Sequence, residues 1–284
     1  MATRTTGNNH LRYQAHVKPY VAMIGTILNE EREILASIES NDPDEASKKM
    51  ILADEMLNLV SNYVVMSGIS MALLKSKDDD ALNNARKSLY KGIIYLEEVV
   101  TDYIDVAFSD YKDRLEAIES VSPAWRYFLV RKMGLSIDLV ANAYADNSKW
   151  KWTFVELKGR FATVAKNLIN MDKVVTNTDP RSPHYEPTLY HLRLVKKLLA
   201  LVAERYREKY ELSTKSVEDF QRSLTFLSAL RRLNMLTGAR DEAETIKKKM
   251  DIWNSKLTAD ISKNKAEGGK GQSGKSVGTP WTTS

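Results

Sequence analysis

The sequence predicts an all-α protein. Apolar residues recur at alternating three- and four-residue spacing over long stretches, and no segment alternates cleanly at period two. Only 12 glycines and 7 prolines punctuate the 284 residues, too few for a turn-rich β protein. Seven or eight mostly long helices, arranged as antiparallel hairpins in a bundle, are expected. Hydrophobic residues make up 43% of the chain and charged residues 28%, which supports a buried core and excludes wholesale disorder.

Each helix has a start, a stripe or a stop that can be named. Residues 1–12 are polar and read as a flexible N-terminus, and a first helix follows over about 19–40. Asp42 as N-cap, Pro43 at the first helical position and Glu45 open the second. Its stripe runs Met50, Ala53, Leu57, Val60, Val64, Ser67, Met71 and Leu74. A third helix begins near Asp80 and keeps its spacing through Leu89, Leu96, Val99, Tyr103 and Val106, so the pattern predicts about 40 residues ending near Ile118. Ser122-Pro123 caps and opens a fourth, to about Ala145. Asn147 or Ser148 opens a fifth, through Met171. The proline-rich segment Thr176–Pro187 reads as a long irregular loop. Three helices complete the series, over about 188–212, 217–237 and 240–262, with Ser216 and Asp219 as a capping-box-like start and Gly238 as a stop. The Gly/Lys/Ser-rich residues 263–284 read as a disordered tail.

Charge divides the chain. Residues 1–120 carry 13 Lys and Arg against 20 Asp and Glu, a net −7; residues 121–284 carry 29 against 17, a net +12. The division suggests an acidic helical-hairpin region, 13–120, and a basic helical bundle, 121–262. A basic half attracts nucleic acid or an acidic protein surface, and that surface can be its own N-terminal half.

Several chemistries are excluded or disfavoured. The absence of cysteine removes disulfides, thiolate zinc sites, iron–sulfur clusters and cysteine nucleophiles. His10, His16, His184 and His191 are the only histidines, and none stands in a metal-ligand spacing. Gly269–Ser276 matches the phosphate-loop pattern, but neither strand nor helix is expected around it, so no nucleotide and no other cofactor is expected. Glu98, Asp102 and Asp105 would form a row on the solvent side of a continuous third helix. Met56–Leu74 is 19 residues without a charge, close to a membrane-spanning length, but Asn58, Asn62 and its serines favour a core helix of a soluble protein, with Gly68 and Ala72 spaced for close helix contact. The polar N-terminus lacks the apolar segment of a secretory signal, so a cytoplasmic location is expected.

These observations favour a non-enzymatic structural or assembly protein that self-associates or docks in a larger complex. Ile246, Met250, Trp253 and Leu257 form an apolar strip on the last helix, which either closes its own bundle or meets a partner. The opposite charges of the halves suggest a head-to-tail contact that salt would loosen. The alternative is nucleic-acid binding by the basic half, with Arg193, Lys196, Lys197 and Arg207 as the phosphate-contacting stripe and Trp150 and Trp152 among lysines as stacking candidates.

Overall fold

The structure is a computed structural model that describes residues 2–38, 42–144 and 148–270. Among these residues there is no strand. Ten α-helices succeed one another: α1 (Ala2–Ala36), α2 (Glu45–Leu74), α3 (Asp79–Val99), α4 (Lys112–Glu116), α5 (Pro123–Tyr144), α6 (Ser148–Asn167), α7 (Met171–Asn177), α8 (Tyr185–Lys209), α9 (Val217–Leu236) and α10 (Arg240–Lys270). The chain forms two compact units, Met1–Val202 and Ala203–Ser284. The division therefore falls inside α8 and not at 120/121, because α5 packs on α2 and α3, and α6 on α3, across that sequence boundary.

In the first unit α2 is the central rod. α1 lies along it through a seam of Tyr13, Val17, Tyr20, Ile24, Ile27 and Ile34, of which Val17, Ile24 and Ile27 are buried. Helix α1 starts at Ala2, so the segment expected to be a flexible terminus is helical, and Pro19 sits inside it. Asp42 does not cap α2 as expected. Its carboxylate accepts from the backbone N–H of Asp44 at 2.9 Å and pairs with Lys48, so the helix starts at Glu45. Close packing of α3 on α2 depends on Gly92: a Cβ there would stand 3.3 Å from Met56 Cβ and 3.4 Å from the Ala53 carbonyl oxygen.

The third helix is half as long as its apolar spacing predicts. It stops at Val99, and side chains from elsewhere bind the carbonyls that the break leaves free. Arg114 Nη1 donates to Val100 O at 2.7 Å, and Asn167 Nδ2 donates to Thr101 O and Tyr103 O, both at 3.1 Å. Asn167 is fully buried at the end of α6. Because the helix has ended, Glu98, Asp102 and Asp105 form no common row; Glu98 instead pairs with Lys49 on α2.

A second knot joins the turn before α5 to the end of α6. Ser122 Oγ accepts the backbone N–H of Trp125 at 3.2 Å, which supports the expected helix start. One turn later Arg126 is buried, and its guanidinium donates to the carbonyls of Ile118 (2.5 Å), Val121 (3.0 Å) and Leu168 (3.4 Å). No carboxylate pairs with it among the described residues, and burial pulls its pKa down to about 10. His191 of α8 packs on the Tyr127 ring, and its Nε2 lies 2.9 Å from Ala165 O. A carbonyl oxygen only accepts, so Nε2 carries the proton. Burial, with Arg126 adding a smaller repulsion, lowers the His191 pKa to about 4.

The second unit is built from the end of α8, a π-helical turn at Tyr210–Thr214, α9 and α10. Its core is aromatic: Tyr206 stacks on Phe226, Tyr210 meets Phe220 edge-on, and Phe220 meets Trp253 edge-on. Asp219 does not complete a capping box with Ser216. It is buried, and it accepts from Lys209 and Thr214 at 2.8 and 2.7 Å, pinning the π turn to α9. Gly238 takes a φ of +76° and stops α9 as expected. Helix α10 continues to Lys270, beyond the expected end, and the rest of the tail lies outside the described residues.

Two outcomes follow from these contacts. Asn167→Ala removes both bonds to the Thr101 and Tyr103 carbonyls at a buried position and should cost about 1–2 kcal/mol in urea denaturation. His191 titrates near 4 when folded against 6.5 ordinarily, so between those values the unfolded chain binds the extra proton. Stability should fall by on the order of 3 kcal/mol as pH drops through that window. His191→Gln should flatten that part of the pH profile.

Candidate functional site

The residues singled out in the sequence are mostly spoken for. Trp253 and Leu257 are 3% and 7% exposed and lie in the core of the second unit, with Arg207 and Lys249 over the Trp253 ring at 4.7 and 4.8 Å. Ile246 and Met250 are half-buried on the same strip. Of the two roles open to that strip, the structure uses it to close its own unit. Arg207 also donates to Glu211 at 3.0 Å, so it does not continue an open cationic stripe with the upstream residues. Arg193 and Lys197 are exposed on α8, and Lys196 is half-buried. Trp150 is held between Arg86, 4.8 Å from its centroid, and Tyr144, and Trp152 lies under Lys151. The Gly269–Ser276 pattern runs outside the described residues.

Much of the charge asymmetry is settled within the first unit. Lys132 of α5 reaches Asp54 at 2.6 Å and Asn58 at 2.9 Å on α2. Arg160 of α6 holds Glu97 of α3 through two bonds of 2.8 and 2.5 Å, and Lys173 of α7 pairs with Glu119. The half-buried pairs at Asp54 and Glu97 hold long-range packing in place, whereas the exposed pair at Glu119 adds little.

What remains unexplained by the fold is the second half of α2. From Ser61 to Leu74 it carries no charge, and an 18-residue window of the helix has a mean hydropathy of 1.5, enough in length and composition to cross a membrane. Yet only 28% of that window is buried. Up to Val60 the helix is packed as the core rod that its sequence predicts. Beyond it only Ser67 and Ser70 are buried, at 5% and 4% exposure, while Val65 and Met71 are 40% and 41% exposed. The inward polar residues have a use: Ser67 Oγ accepts the backbone N–H of Asp78 at 3.2 Å and secures the turn into α3.

The outward line is Ser61, Val65, Gly68 and Ala72, at helical spacing, and a Cβ added at Gly68 would meet nothing within 4 Å. The polar side chains at its start are satisfied within the helix: Ser61 Oγ donates to Leu57 O, and Asn62 Nδ2 to Asn58 O. The line is framed by a fixed scaffold. Tyr13 donates to Asp78 at 2.9 Å, and burial, then that carboxylate, raise the Tyr13 pKa to about 12. Further along, Tyr95 donates to buried Glu31 at 2.7 Å, and Glu31 also meets Lys91 at 2.6 Å. α1, which packs on α2, also carries exposed Val21 and Met23. Among the described residues no group of three or more acidic or histidine side chains could hold a metal.

The model of one protein family, the TP0443 family, matches residues 9–261. The chain belongs to the TP0443 family. The match spans both compact units and stops short of the glycine-rich tail. No curated protein and no solved structure matches the chain.

Composition and charge are poor guides to this face, since its sequence looks like core; the signal is the run of Ser, Gly and Ala at one angular position. The inward position of Trp253 gives a direct check. Trp253→Ala should destabilise the second unit by about 3–5 kcal/mol, as for a large core aromatic, in denaturant unfolding of the isolated chain with no partner present.

Proposed function

We propose that the protein is an α-helical assembly protein that self-associates through the outward face of α2. The observation that carries the reading is the inverted burial beyond Val60: serines inside, Val65 and Met71 outside, and no charge on the face. An exposed, charge-free helical face is a usual mark of an interaction surface. The small residues at 61, 68 and 72 favour a helix as the occupant, because they let a second helix approach to about 8 Å between axes. The same line on a second copy is complementary to itself under two-fold symmetry.

This reading replaces the head-to-tail charge contact expected from the sequence. With Asp54, Glu97 and Glu119 paired inside the unit, apolar burial and not charge supplies the contact. Association through α2 should therefore persist at high salt. A lipid surface fits less well, because the opposite side of the same helix is bound to α3 and α5 and begins with the Lys132–Asp54 pair.

Light scattering after size exclusion tests it. The wild-type chain should run above monomer mass at high and low salt, and Val65→Glu with Gly68→Glu should return it to monomer. Both positions are exposed, so the melting temperature should stay near wild type. A chain that is monomeric at every concentration, or one that binds neutral vesicles as a monomer, would overturn the proposal.

A further inference from the structure

A cavity of about 400 Å³ lies beside the Arg126 knot, inside the first unit. It is walled by the Glu119–Pro123 turn, the end of α6, and the starts of α7 and α8. That volume is within the range of small-molecule sites and holds on the order of a dozen water-sized groups. Its apolar lining comes from Val121, Pro123, Leu168 and Ile169. Its buried polar lining comes from Arg126, Thr188 and His191, which are 6%, 7% and 4% exposed.

Two groups of the polar lining are left incomplete by the fold. The Thr188 hydroxyl is buried and has no hydrogen-bond partner. A threonine in a helix commonly bonds the carbonyl four residues back, as Thr178 does to Val174 O, but the Thr188 hydroxyl makes no such bond. Arg126 brings a buried positive charge whose protein partners are all neutral carbonyls. A guanidinium has five N–H groups, so donating to three carbonyls leaves two. His191 adds no charge near neutral pH, and Lys173 at the rim is already paired with Glu119. The lining therefore combines one cation without a carboxylate partner among the described residues, one unused hydroxyl and a set of apolar side chains.

We infer that this cavity binds a small organic carboxylate, its charged head on Arg126 and Thr188 and its apolar body against Val121, Pro123, Leu168 and Ile169. A carboxylate matches the single cation and accepts from both groups. A phosphate dianion would need a second cation, and Lys173 at the rim stands beside the Glu119 carboxylate, which repels a dianion. The inference is independent of self-association, because none of these residues lies on α2.

Isothermal titration calorimetry on the full chain tests it with acetate, butyrate, hexanoate and inorganic phosphate as probes. Binding should tighten from acetate to hexanoate as the apolar body meets the apolar lining, and phosphate should bind more weakly than hexanoate. Thr188→Val keeps the shape and removes the unpartnered hydroxyl, so the variant should fold at least as well as wild type. It should weaken hexanoate at least tenfold. Arg126→Lys keeps the charge but not the fork, and where it folds it should weaken binding further. No detectable heat with any carboxylate, tighter binding of phosphate, or hexanoate binding unchanged in Thr188→Val would each overturn the inference.

Discussion

The fold turns on one buried guanidinium. Three pieces of backbone that do not belong to a common helix meet at Arg126: the carbonyls of Ile118 and Val121 before α5, and that of Leu168 after α6. Each is a helix-end or turn carbonyl, Ile118 O also accepting the backbone N–H of Val121, and a buried carbonyl left dry costs as much as a lost hydrogen bond. A lysine could not serve all three, because it lacks a planar fork of donors. The position of α5 against α6, and through them the contact of both with α3, depends on that geometry. The absence of a carboxylate beside Arg126 keeps its charge available to the neighbouring cavity.

Side chains binding loose carbonyls recur through the first unit. Asn167 and Arg114 do for the stretch after α3 what Arg126 does for the turn before α5. Long helices on their own need few such contacts. The unit needs them because its middle segment, residues 100–122, is largely irregular and still runs close to the core, where Tyr111, Leu115 and Ile118 are buried. Backbone that is neither helical nor solvated must find polar partners, and Arg114, Arg126 and the last turn of α6 supply them.

The helical class and most helix starts were legible in the sequence, because they rest on local chemistry. Pro123 after Ser122, Gly238 after α9 and the long proline-free stretches act within a few residues of themselves. The break after Val99 was not legible. Leu96, Val99, Tyr103 and Val106 keep perfect helical spacing, and the side chains that hold the broken form lie far along the chain at 114 and 167. Short helices such as α4 and α7 fall below the length at which periodicity can be recognised. Arg126 carries no such signal, since nothing in neighbouring residues says which arginine is buried. The face of α2 was misjudged for the opposite reason. Its composition is that of a core helix, and only the helices actually packed on it reveal that one side is left open.

The ion pairs between the two halves bear on how the chain is made. Lys132, Arg160 and Lys173 answer acids that precede them by 78, 63 and 54 residues. A ribosome delivers Asp54, Glu97 and Glu119 first. A nascent chain ending near residue 120 thus carries its acidic excess unanswered and its α2 rod without α5. The packing of α1 and α3 on α2 is within its reach, but that of α5 and α6 on α2 and α3 waits for those helices to emerge, so the first unit is completed only after most of it has been synthesised.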